Sequence, residues 1–156
     1  DYVCIPGNKA AKIDFFDLKH IDYVLTSENL APFQQLNLGK GLLIFCPGYN
    51  TGLPGLWLKN LPDNCTWIHF GDFDPDGLGI FELLCRQSGR EGRFVPNIKH
   101  LKQIKSSLPE WSGARDFHPE HYSIKYIQEL AAWGKEEKLF VEQEQVMHIL
   151  GLDVLD

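Results

Sequence analysis

Trp67-Ile68-His69-Phe70-Gly71-Asp72-Phe73-Asp74-Pro75-Asp76-Gly77 decides how this chain is read, because an apolar strand runs there into three carboxylates at every second position. Alternate residues of an extended segment project to one side, so Asp72 and Asp74 share a face while Phe73 turns to the core. Like charges this close repel and raise one another's pKa unless a hard divalent cation or a basic group neutralises them. The stretch therefore predicts a cation site at the end of a strand.

Working outward, strands and helices alternate. His20 to Thr26 reads as a strand on its Ile, Tyr, Val and Thr content and places Glu28 at its carboxyl end; a short helical pattern through Leu30, Phe33 and Leu36 follows, stopped by Gly39. Gly41 to Cys46 is a continuous apolar run, as in a parallel strand covered on both faces, and it empties into the glycine-rich turn Pro47 to Gly52. A helix through Leu53, Leu56, Trp57 and Leu61 precedes the third strand, Thr66 to Phe70. A second helix, through Ile80, Phe81, Leu83, Leu84 and Cys85, ends near Gly89, and Arg93 to Pro96 gives a fourth short strand.

This order predicts an α/β fold: a Rossmann-like parallel sheet of about four strands with right-handed crossovers and helices on both faces. Working residues of such sheets collect at the carboxyl ends of the strands. Glu28, the Gly48 to Gly52 loop, Asp72, Asp74 and Asn97 fall there. The C-terminal segment reads as helical: Ile98, Leu101, Ile104 and Leu108 behind an Asn97 cap, a helix from Pro119 past Trp133 to a Gly134 stop, and a last helix from about Glu136 to Leu150. Gln143 falls inside the buried stripe of that last helix, with Glu142 and Glu144 at its margins. Residues 1–18 read as a lead-in arm and 19–156 as one domain; a start at Asp1 without Met suggests a piece of a longer polypeptide.

The 156 residues suit a single core, and 44% apolar with 23% charged residues is ordinary for a globular protein. No run approaches the roughly 18 apolar residues of a membrane span. Cys4, Cys46, Cys65 and Cys85 form no C-x-x-C pair, which suggests free thiols in a reducing cytoplasm. The net charge of -6 argues against holding nucleic acid by overall attraction. From Arg86 to Lys105, however, six Lys or Arg stand against one Glu, so Arg86, Arg90, Arg93 and Lys99 are candidate phosphate contacts, with a solvated helix face as the plain alternative.

Three chemistries compete for the acids. Asp72-x-Asp74-x-Asp76-Gly77 opens like an EF-hand loop, but Leu83 occupies the twelfth position, with Glu82 one residue early, and a strand enters it. An Asp-x-Asp phosphatase expects the pair on its first strand and a Thr or Val where Asp76 stands. The third reading joins Glu28 to Asp72 and Asp74 around one Mg²⁺ or Mn²⁺, an arrangement suited to phosphodiester chemistry. The lone pair His118-x-x-His121 has no thiol pair or second cluster nearby to suggest zinc.

At these residues the sequence resembles the Toprim domain, marked by a Glu after the first strand and an Asp-x-Asp after the third. Asp72-Phe73-Asp74-Pro75-Asp76-Gly77 is closest to the form found in the DNA-cleaving chain of topoisomerase VI and its meiotic break-forming relatives. Ser27-Glu28-Asn29-Leu30, the turn near Gly48 and Glu142-Gln143-Glu144 are similar to the carboxyl-terminal domain of the JetD family, the nuclease subunits of Wadjet plasmid-defence systems. The resemblance covers about residues 15–150. It implies Mg²⁺- or Mn²⁺-dependent DNA cleavage with Glu28, Asp72 and Asp74 as catalytic ion ligands and Asp76 and Glu144 at a second metal position. It also implies partners of the structural-maintenance-of-chromosomes type and allows a homodimer. A primase-like nucleotidyl-transfer domain and a DNA-binding domain with a purely structural ion are the alternatives. With no winged-helix domain to carry a nucleophilic Tyr, hydrolysis by water is expected, and Tyr2, Tyr23, Tyr49, Tyr122 and Tyr126 read as packing or rim residues.

Overall fold

The computed structural model describes residues 20–30, 41–108 and 115–151. The lead-in arm and the helix expected before Gly39 lie outside them. Four strands, β1 (Tyr23–Ser27), β2 (Gly41–Phe45), β3 (Thr66–Phe70) and β4 (Arg93–Val95), form one all-parallel sheet in the order β2-β1-β3-β4. β1 lies between β2 and β3, with Val24 opposite both Leu42 and Trp67, and Phe70 of β3 faces Val95 of β4. The two central strands are buried along nearly their whole length. β2 is half-buried and its Phe45 exposed, short of the two-sided burial expected from its composition, because it lies at the sheet's edge.

Helices α1 (Gly52–Lys59) and α2 (Pro75–Ser88) follow β2 and β3 and pack against each other, as right-handed crossovers running in one direction require. Pro75 at the first turn and Gly89 at φ 68° bound α2. After β4, Asn97 caps α3 (Ile98–Ile104) through a reciprocal pair with His100: the His100 N–H donates to Asn97 Oδ1 at 3.1 Å, and the Asn97 N–H to His100 Nδ1 at 3.3 Å.

The later segment departs from expectation. Pro119 opens only a 3₁₀ turn, Pro119–His121, and the long helix α4 begins at Lys125 and runs through Gly134 to Glu137. Gly134 is there for space, since a Cβ would lie 2.8 Å from Phe117 Cδ2. Lys138, at φ 49°, ends the helix instead. The chain then extends, Val141 exchanges two backbone hydrogen bonds with Phe73 (2.7 and 3.1 Å), and α5 starts only at Gln143 and ends at Leu150. The single helix expected from Glu136 to Leu150 is broken by that pairing.

One core runs through the described residues, with Phe70, Phe73, Phe81, Phe94 and Phe117 almost wholly buried. Cys46, Cys65 and Cys85 are free and buried, and burial pushes the Cys46 and Cys85 thiols up to about 12. No described helix is long and apolar enough to cross a membrane.

Glu82 explains why the EF-hand reading fails in three dimensions. Its buried Oε1 accepts the Ser123 N–H (2.5 Å), the Ser123 hydroxyl (2.9 Å) and the Ile124 N–H (3.1 Å), closing the start of α4 from across the fold. Glu82→Ala would leave those donors unpaired and is expected to cost about 1–3 kcal/mol, read as a lower urea midpoint with unchanged slope.

Candidate metal centre

The chain leaves β1 toward β2 on one side, while β3 continues toward β4 on the other, so the carboxyl ends of β1 and β3 flank the sheet's switch point. Open α/β sheets bind ligands in the crevice there. Glu28 stands over it with its N–H on Phe70 O (3.3 Å), and the Gly71 N–H continues the sheet to Val95 O (3.2 Å). Glycine is needed at 71, because a Cβ would lie 2.8 Å from His69 Nε2 and press on Glu28 Oε1.

Asp72 and Asp74 flank a fully buried Phe73 that packs on Phe117 and Trp133, with ring centroids at 5.2 and 6.0 Å. The alternation expected from the sequence holds. Asp72 Oδ1 accepts the N–H of Gln143, the first residue of α5, at 2.8 Å. Asp74 caps α2, its Oδ1 accepting the Gly77 N–H at 2.7 Å. Each carboxylate keeps its second oxygen free of these backbone bonds.

Asp76, in the first turn of α2, is exposed and held by the Tyr49 hydroxyl (3.1 Å) and the Arg115 guanidinium (2.9 Å), which also lies 4.0 Å from Asp74 Oδ2. Tyr49 is thus a rim residue. Glu144 is exposed and accepts a hydrogen bond from Asn29 Nδ2.

These acids share one field. Burial pushes the Asp72 carboxyl up to about 6, with Glu28, Asp74 and Glu144 adding to the rise and the Gln143 N–H opposing it. Asp74 is raised as well, by burial and then by Asp76 and Glu28, against the Gly77 N–H and Arg115. Glu28, Asp72 and Asp74 therefore lie near one another at the carboxyl ends of β1 and β3, with Asp76 and Glu144 beside them.

The donor set is all carboxylate oxygen and Arg115 offsets its charge only in part, which fits a hard cation such as Mg²⁺ or Mn²⁺. Among the described residues, the one trio of His, Cys, Asp or Glu with ligand atoms all within 4.8 Å is His118, Glu120 and His121 on the exposed 3₁₀ turn. The carboxylates at the switch point do not form such a trio as they stand, so gathering them on one ion would take rotation of their side chains.

The four basic candidates do not gather here. Arg93 opens β4, and Arg86 lies in the last turn of α2, which returns from the carboxyl edge, so both lie toward the opposite end of the sheet. Arg90 binds the carbonyls of Leu61 and Pro62, the latter at 2.9 Å, and lies 3.8 Å from Asp63. Lys99, in the first turn of α3 just past β4, is the one of the four on the carboxyl side. Arg115, the basic group the structure does bring to the acids, was not singled out by the sequence.

Gln143 was also missed as a site residue, although an amide inside a buried stripe was the available signal. It is fully buried, donates from Nε2 to Phe70 O and to Ser27 Oγ (3.2 Å), and leaves its Oε1 without a partner among the described residues. It ties α5 to both strands of the crevice. No family model matches this chain, and no curated protein matches it.

Proposed function

We propose that this domain is a Toprim-type, Mg²⁺- or Mn²⁺-dependent DNA endonuclease centre, similar to the JetD subunits of plasmid-defence systems. The observation that supports this best is the convergence of Glu28, Asp72 and Asp74 on the switch point of a parallel sheet, with Asp72 burdened enough to hold its proton up to about pH 6. Glu28 and the second oxygens of Asp72 and Asp74 would hold the ion, with Asp76 and Glu144 available to a second. When bound, a divalent ion polarises a phosphoryl oxygen and lowers the pKa of a coordinated water.

The chain's own groups orient that chemistry. The Gln143 and Gly77 N–H groups each pin one oxygen of an aspartate and so fix the direction of the other. Arg115, exposed at the rim and paired with Asp76, would meet a DNA phosphate, and Lys99 would add a second charge on the same side of the sheet. With a net charge of -6, the grip on DNA would come mainly from partners, here a complex of the structural-maintenance-of-chromosomes type in the cytoplasm, with a homodimer as one mode of assembly.

The test is nicking and linearisation of supercoiled plasmid by the full-length protein with Mn²⁺ or Mg²⁺, comparing wild type with Glu28→Gln and Asp74→Asn. Loss in both variants with their folds intact supports the proposal; unchanged cleavage in either removes its mechanism. Template-directed nucleotide incorporation would move the domain to the primase class. Ion binding that raises stability with neither activity would make the ion structural.

A further inference from the structure

Beneath Glu28 lies a buried polar chain that the proposed chemistry has not used. The Trp67 indole N–H donates to Thr26 Oγ1 at 2.9 Å; Thr26 Oγ1 lies 2.8 Å from His69 Nδ1, and His69 Nε2 lies 3.3 Å from Glu28 Oε1. Thr26 and His69 are wholly buried and Trp67 nearly so. We propose that His69 is a positioning residue of this centre, whose Nε2–H, fixed by Thr26, holds the Glu28 carboxylate in its ligand orientation.

The direction follows from counting donors and acceptors. An indole nitrogen only donates, so Thr26 Oγ1 accepts from Trp67 and has one hydrogen of its own to place. Its two possible acceptors are the Ile68 carbonyl at 3.4 Å and His69 Nδ1 at 2.8 Å. The shorter contact takes it, Nδ1 accepts, and the ring's hydrogen resides on Nε2, facing Glu28. The opposite tautomer would set a nitrogen lone pair against a carboxylate oxygen.

The ring has little freedom to turn away. It stacks on Phe81, with centroids 5.5 Å apart and planes at 13°, and leans on Phe94 at 5.8 Å. Gly71 closes the remaining space, since any Cβ there would press on both His69 Nε2 and Glu28 Oε1. A histidine that merely filled the core would need only the Thr26 contact; this one spends its second nitrogen on a carboxylate at the sheet edge. Groups that orient a metal-binding carboxylate from behind commonly govern affinity by 10- to 100-fold.

The inference rests on Glu28 being an ion ligand, so the test reads binding directly. Free Mn²⁺ is followed by electron paramagnetic resonance during titration of wild type, His69→Phe and His69→Gln, with circular dichroism as the check on folding. His69→Phe keeps a ring between Phe81 and Phe94 but removes both nitrogens, and is expected to weaken Mn²⁺ about 10- to 100-fold. His69→Gln restores an N–H near the Nε2 position and is expected to recover most of that loss.

Long-range proton–nitrogen spectra of the ion-free wild type should show the His69 hydrogen on Nε2; a hydrogen on Nδ1 alone overturns the inference. So does wild-type affinity in His69→Phe, or equal loss in Phe and Gln variants. If His69→Phe does not fold, the spectrum and the Gln variant decide. A wild type that binds no Mn²⁺ at all is a different result, because it removes the nuclease reading on which the inference rests.

Discussion

Asp72→Asn is expected to cut ion-dependent cleavage severely while making the ion-free fold more stable at about pH 8. The two effects have one cause. In the folded chain this carboxyl is held up to about 6 from an ordinary 3.8, by burial first and then by Glu28, Asp74 and Glu144. The folded form therefore binds the proton more tightly than the unfolded one. The stability from this group is fully present below about pH 4, is lost as pH rises through about 6, and stays lost above.

A raised pKa of this size would correspond to roughly 3 kcal/mol if the site were dry, at 1.36 kcal/mol per unit. Solvent reaches the half-buried side chain, so about 1–2 kcal/mol is the realistic cost of its charge at neutral pH. Asn removes the charge and still accepts the Gln143 N–H. Calorimetry of ion-free protein at about pH 8 should then show a Tm higher by about 2–6 °C, a difference that vanishes near pH 4.

Added Mn²⁺ reverses the order. Wild type gains about 2.7 kcal/mol at a hundredfold excess over its dissociation constant, and the variant gains little. Cleavage should fall by on the order of a thousandfold, the equivalent of about 4 kcal/mol of lost transition-state stabilisation. A variant less stable than wild type without ions would mean that Asp72 is not under electrostatic strain.

Phe73→Ala is expected to cost about 3–5 kcal/mol and to take the centre with it. The side chain is wholly buried against Phe117 and Trp133, and its backbone carries both hydrogen bonds to Val141. Truncation opens a cavity between the β3 end and the α4 segment. Because Asp72 and Asp74 are its immediate neighbours, the loosened backbone no longer presents two carboxylates in register. Phe73→Leu should cost far less and keep most ion affinity. Urea unfolding and Mn²⁺ titration of the pair separate packing from ligand loss.

The parallel sheet and its central acids were legible because their information is local. β3 announces itself by composition, the Asp pair by alternation, and Glu28 by following a strand that had to run parallel to β3. The break between α4 and α5 was not legible. Residues 136–150 keep a helical apolar pattern throughout, and only the pairing of Val141 with Phe73, distant in sequence, pulls them apart. The basic strip does not gather at the acids, for a geometric reason. Arg86 follows the acids closely in sequence, but its place in the last turn of α2 carries it about 17 Å back along the helix. Arg115 reaches the acids by a return of the chain that no local pattern encodes.

Gln143 gives the centre a built-in order of assembly. Glu28, Asp72 and Asp74 all leave the ribosome well before α5, yet the amide that orients Asp72 belongs to residue 143 and the backbone that braces Phe73 to residue 141. A nascent chain that has not yet reached residue 143 therefore carries its acids without their brace, and the centre takes its final form only when α5 docks.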